Sequence, residues 1–391
     1  MNFKTKGHLK GMTTFETWDD APLKRSVLRG IYSMGFEAPS PIQKQAIIPI
    51  SQGLDILAQA QSGTGKTGAF CVGTLERCTA DPYVQIIILA PTRELAMQIQ
   101  SVFDQLSLPS NLKSHLLIGG TPVERDRRQI AEQKPQAVIG CPGRILDFLQ
   151  RRVVDGERVR MIVLDEADEI LSQGFRDQLF QIFQHISPAA QVIMFSATIP
   201  EALLEVTAKI MKDPVQILVK NEMMTLEGIS QFYVLFETDH EKLMALKDLY
   251  EGMSVSQSII YCNSVRRVID LYEAMRRENF PVCCIHSDME REQRTRSYEE
   301  FKSGKYRVLI SSNVTARGID LQQVSIVINY DIPKCVHTYL HRIGRSGRWG
   351  RKGVGINFVT KYDIDKMRAI EKHYQTEITE LPANYSDLIR K

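Results

Sequence analysis

Short apolar runs recur along the chain, separated by stretches with helical spacing. In the first half the runs are LDILAQA (54–60), VQIIILA (84–90), AVIG (137–140), MIVL (161–164) and QVIMFSA (191–197). Helical patterns fall between them, from Lys66 to Cys78, over Glu94–Leu106 and over Arg144–Leu149. Strands that are apolar on both faces and alternate with helices predict a parallel sheet covered on both sides. A second set follows: QFYVLFE (231–237), SIIYCNS (258–264), VCCIHS (282–287), RVLISS (307–312), IVINYD (326–331) and VGINFVT (354–360). Between the sets, Asp213 to Gly228 contains Pro214, paired methionines and Gly228, and reads as the end of one domain and a connector. The expected fold is α/β, with two tandem parallel-sheet domains at 12–220 and 221–391. A single large α/β domain is the competing reading.

Composition supports this picture. The chain has 391 residues of which 43% are hydrophobic, enough for two cores. A net charge of +3 is too mild to point to nucleic acid by itself, so any such site depends on local placement. No apolar stretch is long enough for a membrane span, and MNFKTKGHLKGMTTF lacks the apolar region of a secretory signal. The 7 cysteines are scattered through apolar segments without paired C-x-x-C spacing. They read as reduced intracellular thiols, with no zinc site.

Two motifs carry chemistry. AQSGTGKTGAF (60–70) follows an apolar run and opens a helical pattern. Glycines there allow backbone N–H groups to approach phosphate oxygens, and the helix adds its positive end. Ser62, Gly63, Thr64 and Gly65 would form the cradle. Lys66 would neutralise the β/γ-phosphates and Thr67 would offer its hydroxyl to Mg²⁺. Ala60 stands where the P-loop pattern begins with glycine. The bland alternative is a surface turn with one lysine. The second motif, MIVLDEADEIL (161–171), sets Asp165, Glu166, Asp168 and Glu169 directly behind a strand. In the same sheet, Asp165 would hold Mg²⁺ and Glu166 would deprotonate the attacking water. Asp168 would bridge to neighbouring motifs and Glu169 would be solvated. An acidic helix cap is the bland alternative for Asp165.

With Asp165-Glu166-Ala167-Asp168, the chain resembles the DEAD-box RNA helicase family over roughly residues 15–388, within the branch of eukaryotic initiation factor four-A and its nuclear relatives. The resemblance implies two RecA-like domains forming a helicase core, ATP and Mg²⁺ as cofactors, and RNA-dependent ATP hydrolysis. GFEAPSPIQ (35–43) is similar to the adenine-reading Q motif, with Gln43 as reader and Trp18 as the upstream aromatic. PTREL (91–95), Gly119–Gly120 and CPGR (141–144) resemble first-domain RNA motifs, and SAT (196–198) the coupling motif. Asp320 of ARGID would reach the ribose. HRIGRSGR (341–348) supplies Arg345 and Arg348, which the family sets against the γ-phosphate.

Departures from the family pattern cluster in the second half. SSNVTARGID (311–320) has Ser312–Asn313 where Thr-Asp is usual, so a salt bridge there is lost or softened. HSDMEREQR (286–294) has Ser287 and Arg291 where glycine and glutamine are usual, followed by Arg294. Expected phosphate contacts are Arg93, Arg144, Arg294 and Ser312, with backbone N–H groups near Gly120. The expected function is local unwinding or remodelling of single-stranded or short-duplex RNA by a monomeric core. An adaptor gripping both domains is expected because the chain ends, at PANYSDLIRK, soon after the core. RVLISSNV resembles the nuclear relatives, which implies RNA processing or ribosome biogenesis in the nucleus or nucleolus. Translation initiation in the cytoplasm and an ATP-gated RNA clamp are the alternatives, and a DNA-directed P-loop motor is disfavoured by the complete motif set.

Overall fold

Strands form where apolar residues occupy both faces of an extended segment. Ile86 and Ile88 join one core layer while Ile87 and Leu89 join the layer on the other side, as the two-residue strand period requires. The computed structural model describes residues 15–60, 63–172, 174–218, 229–252, 257–313, 324–346 and 353–382. They divide into two compact units, one within Met1–Lys220 and the other within Asn221–Lys391.

The first unit contains β1 (Ile56–Gln59), β2 (Ile86–Leu89), β3 (Ser114–Leu117), β4 (Ala137–Gly140), β5 (Met161–Leu164), β6 (Gln191–Ser196) and β7 (Val215–Leu218). They form one sheet in the order β3-β4-β2-β5-β6-β1-β7, with every pairing parallel. The second contains β8 (Ile229–Phe236), β9 (Gln257–Tyr261), β10 (Val282–Ile285), β11 (Val308–Ser311), β12 (Val324–Asn329), β13 (Gly353–Thr360) and β14 (Thr379–Glu380). Its order is β10-β11-β9-β12-β13-β8-β14, again all parallel. Moving seven strands along the chain turns one order into the other. Each sheet carries a buried apolar layer on each face. The expected architecture of two covered parallel sheets is therefore present.

Three strands escaped the sequence pattern. β3 is SHLL, alternately half-buried and buried, so polar residues interrupt its run. β7 lies inside the stretch read as a connector, and β14 has only two residues. Helices extend a little beyond the predicted patterns, to Arg93–Ser107 and Pro142–Gln150. Among the described residues no helix is long and apolar enough to cross a membrane. All seven cysteines are free thiols.

Parallel pairing puts the carboxyl end of every strand on one edge of its sheet, where α/β folds place their ligands. In the first unit that edge gathers the segments after β1, β2, β4, β5 and β6, which carry the sequence motifs.

Candidate nucleotide and RNA site

The segment after β1 is built as a cradle. Gly63 and Gly65 have φ of 86° and 96°, values that glycine adopts without steric cost. Gly65 caps the helix Lys66–Arg77, whose first N–H groups open toward the turn. Ala60 is buried and its N–H donates to the Ser196 carbonyl at 3.0 Å, so the absent glycine costs the turn nothing. A Cβ on Gly65 would lie 2.8 Å from Ser40 Oγ and 2.9 Å from Gln43 Nε2. Gln43 itself accepts from the Ser40 N–H at 2.8 Å and donates to the Gly65 carbonyl at 3.3 Å, tying the Q segment to the loop. Thr64 is exposed and Thr67 half-buried at the helix start, whereas Ser62 lies outside the described residues.

Lys66 and the carboxylates behind β5 meet at this edge. Lys66 Nζ donates to Glu166 Oε1 at 2.9 Å, both side chains being buried. Burial alone would lower the lysine pKa, but Glu166, Asp165 and Asp168 outweigh it and hold the ammonium above its usual value. Burial pushes the Asp165 carboxyl up to about 7, against the opposing pull of Lys66. Asp165 Oδ1 accepts the Glu166 N–H at 3.0 Å, and Glu166 sits at φ 51°, an uncommon conformation for a side-chain-bearing residue. The strain is local to the residue that faces Lys66. Asp168 bridges to the segment after β6: its Oδ2 accepts from Thr198 Oγ1 at 2.6 Å, and its N–H donates to Ser196 Oγ at 3.2 Å. Glu169 is not solvated as expected. It is buried and accepts from Ser172 Oγ at 2.9 Å, because the short helix Ala167–Ser172 turns its first residues inward.

The remaining first-unit candidates have unequal exposure. Trp18 is 1% exposed, with its ring between Phe15 and Phe36 at 5.8 and 6.5 Å. It therefore backs the Q segment instead of presenting an open face. Arg93 is half-buried at the start of the helix Arg93–Ser107, against the Gly119–Gly120 turn, where a Cβ on Gly119 would lie 3.1 Å from its Nη2. Gly120 is exposed at φ 90°. Arg144 is turned inward: Nη2 donates to the Thr121 carbonyl at 2.8 Å and Nη1 lies 3.4 Å from Asp126 Oδ2. Asp126 also accepts from Thr121 Oγ1 at 2.6 Å and lies 3.6 Å from His115 Nε2. Asp126 and His115 support this edge, and no motif spacing marked them.

In the second unit, Arg342 is fully buried and its guanidinium is surrounded by neutral acceptors. Nε and Nη2 donate to Asn313 Oδ1 at 2.9 and 2.8 Å, Nη1 to Asn329 Oδ1 at 3.1 Å and the Asp331 carbonyl at 2.8 Å, and Nη2 also to Asn263 Oδ1 at 2.8 Å. Burial pulls its pKa down to about 10. Ser312 is half-buried directly after β11, and Arg294 half-buried on the helix Arg291–Lys302. Arg345 follows the helix Val336–Ile343, its Nε donating to the His341 carbonyl at 3.2 Å. Asp320 and Arg348 lie outside the described residues.

Residues 40–206 match the DEAD/DEAH box helicase family, and residues 241–350 match the helicase conserved C-terminal domain. An ATP-dependent RNA helicase eIF4A from Schizosaccharomyces pombe is 52% identical over 375 residues, 96% of this chain and 95% of that protein. This chain belongs to the DEAD-box ATP-dependent RNA helicase family. Eukaryotic initiation factor 4A of Caenorhabditis elegans is 49% identical over 96% of this chain and 93% of its own length. S. cerevisiae Dbp5 bound to RNA and ADP BeF3 superposes with a TM-score of 0.90 at 33% identity, covering 96% of this chain and 98% of that one. Another Dbp5 structure, bound to gle1 h337r and ip6, has a TM-score of 0.78 at 32% identity, covering 97% and 98%. DEAD-box helicases bind ATP and act as RNA-dependent ATPases, and this chain shares that activity with its family. The expected role in RNA processing or ribosome biogenesis in the nucleus finds no support among these sequence relatives, which are named as initiation factor 4A. Two positions in one loop weigh less than half-identity along nearly the whole chain, and the translation alternative fits better.

Proposed function

We propose that this DEAD-box protein opens short RNA duplexes during translation initiation in the cytoplasm, at the cost of ATP. The pathway reading rests on the 49–52% identity to proteins named as initiation factor 4A. The chemical reading rests on one observation, the buried Lys66–Glu166 pair beside Asp165 at the end of β5. In this reading residues 12–220 bind ATP and residues 221–391 form the C-terminal helicase domain. Gln43 reads the adenine edge, with Trp18 holding the Q segment from behind. Ser62, Gly63, Thr64 and Gly65 cradle the phosphates. Phosphate oxygens compete with Glu166 for the Lys66 ammonium. Once Lys66 turns to them, Glu166 is left to accept the proton of the attacking water.

Mg²⁺ fits the donor set, because a buried carboxyl raised toward neutrality regains its charge beside a cation. Thr67 and Asp165 would hold the ion, which when bound polarises the phosphoryl oxygens. Asp320 contacts the ribose, and Arg345 and Arg348 stabilise charge on the terminal phosphate. Arg93, Arg294, Ser312 and the backbone at Gly120 hold RNA phosphates. Arg144, already committed to Asp126 and Thr121, joins them by fixing the turn at Gly120. An adaptor protein engaging both domains completes the proposal.

A second reading, an ATP-gated RNA clamp, is favoured by the neutral acceptor at Asn313. RNA-stimulated ATPase and short-duplex unwinding, measured side by side, separate the two. The helicase reading expects both activities, with Glu166→Gln lowering turnover by about 10²–10⁴-fold while nucleotide binding persists. ATPase without unwinding would establish the clamp, and full turnover in E166Q would remove Glu166 from the chemistry.

A further inference from the structure

Asn313 occupies a position where the family pattern has aspartate, and its geometry fixes which way its amide faces. Both arms of the Arg342 fork, Nε at 2.9 Å and Nη2 at 2.8 Å, end on Asn313 Oδ1. A guanidinium only donates, so the oxygen must face Arg342 and the amide nitrogen must face away. Asn313 is exposed, and no hydrogen bond from Nδ2 is formed among the described residues. The outward NH₂ therefore stands beside Ser312, just past the carboxyl end of β11.

We propose that Asn313 is a further RNA contact, its Nδ2 donating to a phosphate oxygen of the strand that passes Ser312. This deepens the reading of that loop as part of the RNA path and rests on it. An aspartate here would serve Arg342 equally well with one oxygen, yet would turn a charged acceptor toward the phosphate. Asparagine exchanges that repulsion for a donor. With asparagine here, Arg342 hydrogen-bonds only to neutral oxygens, and the Asp331 carboxylate that acts on it is shared with Arg267, so more positive potential reaches the loop than an aspartate at 313 would leave. The side chain would act on the backbone of RNA and carry no base preference.

Asn313→Asp is close to isosteric and supplies the charged acceptor that suits Arg342. With the full chain, fluorescein-labelled single-stranded RNA and a non-hydrolysable ATP analogue, N313D is expected to weaken RNA binding about tenfold, and more at low salt than at high salt. Its melting temperature is expected to equal or exceed that of the parent. Ser312→Ala serves as the control for the path itself. If S312A weakens RNA binding and N313D does not, the Asn313 contact is wrong and the loop reading survives. If neither variant changes RNA binding, both fall. Failure of N313D to fold would also overturn the proposal, because the only group lost is the Nδ2 donor, which would then serve the fold and not RNA.

Discussion

At the scale of single residues, position along the chain and position in space agree for some side chains and part for others. Lys66, Asp165 and Glu166 are legible because a phosphate cradle and a carboxylate pair need particular residue types at short spacing. Trp18 is half legible: the aromatic is marked by its place before the Q segment, but its enclosure between Phe15 and Phe36 depends on packing. His115 and Asp126 were invisible, since they come from β3 and the helix Val123–Gln133 and meet only after folding. They carry a prediction. Burial lowers the His115 pKa below its ordinary value of about 6.5, more than Asp126 raises it. The unfolded chain thus takes up this proton before the folded one, so the contribution of neutral His115 is complete above about pH 6.5 and is lost as pH falls below it. Urea midpoints measured from pH 7.5 to 5.5 should fall as the pH falls. His115→Asn should flatten that slope. An unchanged slope would assign the acid sensitivity to other groups.

Elements follow the same division. Fully apolar runs such as MIVL and AVIG announce strands that are buried at every position. β3 did not, because an edge strand with one half-buried face needs less apolar sequence, and β7 did not, because Pro214 and the methionines nearby suggested a connector. Helix contacts are still harder to read. Gly30 has nothing in sequence to separate it from a flexible point in the helix Arg25–Ser33, yet a Cβ there would lie 2.1 Å from the Leu106 carbonyl oxygen. Replacing a helical glycine by alanine ordinarily stabilises by about 1 kcal/mol. Here backbone blocks the methyl group, and overpacking costs typically about 1–3 kcal/mol. Gly30→Ala should therefore destabilise the protein in urea. Gly73→Ala, whose Cβ would meet the Ile50 side chain at 2.6 Å, should do so less because a side chain can move. A G30A variant more stable than the parent would show that the two helices separate at little cost.

For the whole molecule, the repeated strand order has a chemical consequence. The same sheet is built twice, but among the described residues the phosphate loop and the strained carboxylate at Glu166 belong to the first copy. In the second copy Arg345 follows the helix Val336–Ile343, and the proposed mechanism assigns it to the terminal phosphate. On the proposed mechanism, nucleotide binding belongs to the first copy and transition-state charge stabilisation is shared. Arg345→Ala should then leave the affinity for an ATP analogue in the absence of RNA within about twofold of the parent, because uniform binding is set by the phosphate loop. RNA-stimulated turnover should fall by about 10²–10³-fold, the usual cost of removing one donor aimed at developing charge. Arg345→Lys should recover only part of it, since an ammonium keeps the charge and loses the planar fork. Equilibrium binding with a fluorescent nucleotide, beside steady-state phosphate release with and without single-stranded RNA, reads both quantities. If R345A lost analogue affinity without RNA and kept its RNA-stimulated rate, Arg345 would serve ground-state binding alone. The division of labour between the two copies would then be reversed.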